Sequence, residues 1–153
     1  MRTATQNEVI VDALNSLIQT NHDSENGYRT AASGVDEESD LASIFHRYAQ
    51  HHARFAAELE QEVRTYGGEP ETGGTFGGSL ASGWMNIKSA ITGGDEDAIL
   101  NECIRAEESA QENYQDALQE DLPDYLKEML RQQHDQIQES IQHLRALKQS
   151  YER

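Results

Sequence analysis

Two carboxylates and two imidazoles, Glu25, His52, Glu107 and His134, fall at positions where helical periodicity expects apolar side chains. Groups of these types converging from different helices can hold zinc, iron or manganese. Asn21 and Gln111 lie on the same seams and add amide donors and acceptors. An unpaired carboxylate in a core costs several kcal/mol, so Glu107 must be protonated, paired with a histidine, hydrogen-bonded by a tyrosine or bound to a metal. The competing reading is a closed hydrogen-bond network, in which His52 and His134 pair with Glu107 and Glu25 while Tyr28, Tyr48 and Tyr114 stand on the same seams. Such networks fix register without doing chemistry. Helical cores commonly tolerate a polar layer, which favours the network; two His and two Glu together keep the metal site open.

The elements that must position these groups are visible as a repeat. Leu17 to Ala32 and Cys103 to Leu118 align without a gap, Ile18 on Ile104, Asn21 on Glu107, Glu25 on Gln111, Tyr28 on Tyr114 and Ala31 on Ala117. An offset of 86 residues, from Ile18 to Ile104, is too long for a solenoid unit and marks two related helical hairpins. Thr5-Gln6-Asn7-Glu8 has the form of a capping box that opens a first helix over about 6–32, ended by Ser33-Gly34. Asp36 can cap a second helix, about 36–66, whose seam reads Leu41, Phe45, Tyr48, His52, Phe55, Leu59 and Val63. Asp95 opens the next long helix, about 95–120, with seam Leu100, Ile104, Glu107, Gln111, Tyr114 and Leu118. Asp121 and Pro123 open the last, about 122–151, with seam Leu126, Leu130, His134, Ile137, Ile141 and Leu144.

Residues 67–94 are glycine-rich and read as a crossover with a short helix near Ser79 to Ile91, where Leu80, Trp84, Ile87 and Ile91 share a side. Its Gly pairs do not make a phosphate loop, because no Lys-Ser/Thr follows Gly78 and no apolar strand precedes the run. The expected fold is therefore all-α, one domain over 1–153, an antiparallel four-helix bundle in which the crossover lets the second and third long helices run parallel. Asn21 and His52 lie about equally far from the first hairpin turn, and Glu107 and His134 from the second, so one layer can hold them all.

Other groups carry less. Asp135, Glu139 and His143 recur every fourth residue opposite the apolar seam and read as a solvated face. His22, His46 and His51 fall at the flanks of their seams, and no Ser or Cys has a triad context. Cys103 is the lone cysteine, so it packs as a small apolar residue without a disulfide inside the chain. Twelve basic against 28 acidic residues give a net charge of −16, a field that repels nucleic acid and anionic membranes. No 18-residue apolar stretch and no signal-peptide pattern occurs, and the expected location is the cytoplasm.

Asn21-His22-Asp23 with Gly27-Tyr28, FHRYAQHHARFAAEL running into GGEPETGG, GWMNIKSAITGGDE, and the Glu-rich stretch through Tyr114 to Asp121-Leu122-Pro123 together resemble a bacterial family of uncharacterised four-helix-bundle proteins. That family is placed in the ferritin-like superfamily, and the likeness covers nearly the whole chain. Ferritin-like di-iron proteins place a Glu on the first and third helices and a Glu-x-x-His on the second and fourth. Glu107 matches the third-helix role, seven residues before Tyr114, but Asn21 stands at the first-helix position and no histidine has a Glu three residues before it. The resemblance therefore implies the fold without a standard di-iron centre or its oxidation chemistry. The reading that results is a non-catalytic structural or stress-associated interaction protein whose expected partner is a second copy of the chain. The alternative is a metal-binding or redox protein with a divergent site at Glu25, His52, Glu107 and His134.

Overall fold

The computed structural model describes residues 5–72 and 82–151. These residues form five α-helices and no strand: α1 (Gln6–Ser33), α2 (Asp40–Thr65), the short α3 (Ile87–Gly93), α4 (Glu96–Leu118) and α5 (Asp124–Tyr151), with one 3-10 turn at Ser82–Trp84. The Thr5 hydroxyl accepts from the Glu8 amide while the Glu8 side chain reaches back, closing the capping box that starts α1. Asp36 does not start α2. Its carboxylate instead accepts from the Glu38 amide in a turn, and Ser39 caps the helix by accepting from Ala42 N. Asp95 caps α4 through the Asp97 amide. The α2 C-terminus is closed by Tyr66 and by Gly67 at φ +79°, a conformation that suits glycine.

The helix directions follow from side-chain pairs. Asn21 meets Tyr114 and Gln6 meets the Asp121 carbonyl, so α1 and α4 run antiparallel. Tyr48 meets His143, Glu58 is reached from Gln133, and Tyr66 meets Tyr125, so α2 and α5 are antiparallel too. With α1–α2 and α4–α5 as hairpins, α2 and α4 lie on a diagonal and run parallel. The chain spends residues 66–95 making that possible. The crossover is tied to α1 by Asn15, which donates to the Glu69 carbonyl and accepts from the Glu71 amide. It then buries Trp84 against α1, where the ring sits edge-on to Tyr28 at 4.9 Å and its N–H points to Ser24 Oγ at 3.4 Å. Gly27 makes room: a Cβ there would fall 2.1 Å from the Trp84 ring. Buried Glu102 accepts from the Asn86 amide and from Arg105, anchoring the entry to α3. Of the expected short helix, residues 79–81 with Leu80 lie outside the described residues, as does Gly78; the helix proper begins at Ile87.

Two apolar clusters fill the interior. One gathers Leu14, Ile18, Phe55, Leu59, Leu126 and Leu130; the other Tyr28, Phe45, Trp84, Ile87, Leu100 and Leu144. Asn21, His52 and Glu107 belong to neither and lie between them in the chain on every helix that supplies them. No described helix is long and apolar enough to cross a membrane.

Candidate functional site

His52 and Glu107 are each 1% exposed, and Nε2 of the ring lies 2.6 Å from Oε1 of the carboxyl across the α2–α4 diagonal. The other ring nitrogen, Nδ1, is 2.7 Å from Asn21 Oδ1. The amide orientation of Asn21 is fixed by its neighbours: Nδ2 donates to the Leu17 carbonyl at 2.8 Å, and a carbonyl only accepts. Oδ1 therefore faces the ring, and Nδ1 of His52 carries a hydrogen. Nε2 and Glu107 then share one proton, since a bare nitrogen lone pair against a carboxylate at this distance would repel.

The network continues. Asn21 Nδ2 also donates to the Tyr114 hydroxyl at 2.8 Å, which passes its own hydrogen to Gln133 Oε1 at 2.6 Å, and Gln133 Nε2 donates to Glu58 Oε1 at 2.9 Å. The relay Glu107–His52–Asn21–Tyr114–Gln133–Glu58 draws on α4, α2, α1 and α5, and it reaches solvent at the exposed Glu58. Two of its links are amides, whose N–H groups do not ionise, so it holds helices in register but does not conduct protons along its length. Burial is the main cause that pushes the Tyr114 phenol far above its ordinary pKa, with the Asn21 bond opposing and the charges of Glu107 and Glu58 adding. Tyr28 is fully buried, and its hydroxyl lies near Glu107 without meeting hydrogen-bond geometry to a described group. Burial first, then the nearby Glu107 and Cys103 charges, raise its pKa well above 10.0. The same causes in the same order, burial and then Glu107, raise the free, buried Cys103 thiol.

The four side chains read from the sequence as a site are not brought together. Glu25 is 16% exposed and pairs with Arg29 at 2.7 Å and His22 at 3.7 Å on the outer flank of α1, where the seam turns inward through Ser24. His134 is 18% exposed between Asp135 at 3.2 Å and Gln115 at 3.3 Å, and Gln133 takes the inward position. Gln111 pairs with Gln138 instead of entering the layer, its place on the α4 seam taken by Ala110. Tyr48 bonds His143, so His143 lies half-buried between α2 and α5 and not on an open face. Among the described residues no three His, Cys, Asp or Glu side chains are grouped so that they could hold a metal ion. Gln133 was invisible to the seam reading, although it neighbours His134 and either residue satisfies the spacing.

The class is thus an all-helical protein whose long helices are tied by a buried histidine–carboxylate relay. The chain belongs to the family DUF2383, a domain of unknown function, whose pattern matches residues 9–120. That span contains Asn21, His52, Trp84, Glu107 and Tyr114 and stops before α5, which supplies Gln133. No curated protein matches the chain.

Proposed function

We propose that this chain is a ferritin-like four-helix bundle of a bacterial cytoplasm, acting without catalysis as a structural or stress-associated interaction protein, with a second copy of itself as the first partner to test. The helix order, with parallel α2 and α4 joined by a long crossover, supports the ferritin-like assignment. The observation that carries the function is the closure of the relay. Both nitrogens of His52 are occupied by side chains of the protein, and His52 and Glu107 are both buried, so the layer presents no open position to a substrate. A group with this geometry orients helices; it has nothing to orient a reactant against.

The second reading, a divergent metal or redox centre, draws on the contact between His52 and Glu107, both metal-binding types. It requires Glu25 and His134 to move inward past Ser24 and Gln133. Elemental analysis of protein purified without chelator, beside the His52→Ala, His134→Ala double variant, separates the two. Absence of zinc, iron and manganese from the purified protein, with light scattering reporting a dimer, is the result expected of the interaction protein. About one metal per chain, lost in the double variant, would overturn that reading in favour of the metal centre.

A further inference from the structure

Tyr66 and Tyr125 bring their hydroxyl oxygens to 2.7 Å where the end of α2 meets the start of α5. Tyr125 donates to Glu62 Oε1 at 2.9 Å, since a carboxylate only accepts. The Tyr125 oxygen, its one hydrogen committed there, accepts from Tyr66, and the protons are ordered from Tyr66 to Tyr125 to Glu62. None of the three belongs to the relay through His52.

The fold gives this pair a fixed member and an accessible one. Tyr66 closes α2 with its N–H on the Glu62 and Val63 carbonyls, and its half-buried ring packs against the apolar cluster of Leu59 and Leu126. Tyr125, the second residue of α5, is 50% exposed. Of the other tyrosines whose side chains are described, Tyr28, Tyr48 and Tyr114 are all buried. Tyr28 and Tyr48 face each other with ring centroids 5.6 Å apart, but inside the core. Tyr114 donates to the neutral amide of Gln133, which takes no proton. Desolvation first, and after it the bonds to Tyr66 and Glu62, raise the Tyr125 pKa above 10.0, so the phenol holds its proton at neutral pH. A neutral phenol gives up an electron most readily when its proton leaves with it, and a hydrogen-bonded carboxylate is placed to take that proton.

We infer that Tyr66 and Tyr125 form a site of oxidative modification, at which peroxide-derived one-electron oxidants join the two rings into an intramolecular dityrosine. The first oxidising equivalent removes an electron from Tyr125 while its proton passes to Glu62 and on to water. Tyr66 hands its hydrogen atom to the Tyr125 oxyl along the 2.7 Å bond, and a second equivalent regenerates the Tyr125 radical by the same route. The two phenoxyl radicals pair their electrons in a bond between ring carbons ortho to the hydroxyls, and the hydrogens displaced from those carbons return to the oxygens. The peroxide takes up two electrons and two protons and leaves as two water molecules. An ortho carbon adjoins the carbon that bears the hydroxyl, so from this contact a swing of the exposed Tyr125 side chain brings the coupling carbons together. The product ties the end of α2 to the start of α5, which restricts the unfolded chain and should raise Tm.

The test exposes the full chain to a haem peroxidase with limiting hydrogen peroxide. The expected result is dityrosine fluorescence on a single chain lighter by two hydrogen atoms, with digestion yielding the Tyr66 and Tyr125 peptides joined and with a raised Tm. Tyr125→Phe, a surface change that should leave the fold intact, should abolish the signal. Glu62→Gln keeps both rings and should slow coupling by about tenfold, less than a positioned base usually supplies because water competes at an exposed hydroxyl. Thermal melts before oxidation check that both variants are folded. Absence of dityrosine from the parent, fluorescence that persists in Tyr125→Phe, a crosslink that maps to Tyr28 and Tyr48, or coupling only between separate chains would overturn the assignment. An undiminished rate in Glu62→Gln would overturn the proton route.

Discussion

Asn21 and Glu107 hold opposite nitrogens of one ring, His52, at 2.7 Å and 2.6 Å. They are also the residues that coincide when the two halves of the chain are aligned, as are Tyr28 and Tyr114. The equivalence carries into the tyrosines with one difference. Tyr114 accepts from Asn21, whereas the Tyr28 hydroxyl lies near Glu107 without meeting hydrogen-bond geometry to a described group. The repeat thus places its two polar positions about a shared imidazole.

This arrangement separates two substitutions at the pair. His52→Ala leaves Glu107 buried without a partner, a loss on the order of 3–5 kcal/mol for a broken buried pair. Glu107→Gln keeps a donor against Nε2, because the Nδ1 hydrogen committed to Asn21 leaves that nitrogen free to accept. Its cost should be about 1 kcal/mol, that of one weakened hydrogen bond. Urea denaturation of the two variants beside the parent measures both, and a Glu107→Gln protein less stable than His52→Ala would refute the proton placement.

Gly27 and Trp84 form the second lock. An added methyl at residue 27 collides with the ring at 2.1 Å and, on a helix, cannot move away from it. Gly27→Ala should therefore expel Trp84 from its site beside Tyr28 and Ser24, despite alanine's better helix propensity. Overpacking of this kind costs about 1–3 kcal/mol. Trp84 is the single tryptophan, so its fluorescence should shift to the red and become accessible to quencher. An unshifted spectrum with unchanged stability would mean that the crossover is not held by this contact.

How far the site could be read from sequence turns on steps of one residue. The α2 seam was legible throughout, since Leu41, Phe45, Tyr48, His52, Phe55, Leu59 and Val63 are all buried. On the other long helices the apolar anchors and the polar positions Asn21 and Glu107 were right, while Glu25, Gln111 and His134 were each one residue away from the buried Ser24, Ala110 and Gln133. Leu130 and Ile137 lie seven residues apart, and a 3.6-residue period admits either 133 or 134 between them. Gln111 against Ala110, and Glu25 against Ser24, present the same ambiguity, which periodicity cannot resolve when both candidates are small or polar. The outcome gives a direct comparison. Gln133→Ala strips the acceptor from the buried Tyr114 hydroxyl and should cost about 1–3 kcal/mol. His134→Ala, outside the core, should stay within about 0.5 kcal/mol. Equal effects in thermal or urea unfolding would argue that the relay ends at Tyr114.

The buried acids that must stay neutral set the alkaline limit. Cys103, Tyr28 and Tyr114 all have pKa values raised in the folded chain above 9.0 for the thiol and 10.0 for the phenols, with burial the first cause in each. Above those values the unfolded chain releases protons that the folded chain retains, so it binds fewer protons and stability falls as pH rises. The contribution is intact below pH 9.0, declines first through Cys103 and then, beyond 10.0, through the tyrosines. Urea midpoints measured in steps from about pH 8 to about pH 11 should fall in that order. Cys103→Ala should lower stability near neutral pH, by the loss of buried sulfur, but remove the earlier part of the decline, moving its onset to the phenol range. A variant whose onset stays near that of the parent would show that the thiol is not held protonated by the core, and a thiol reagent that modifies Cys103 in the native protein at pH 8 would establish the same point independently.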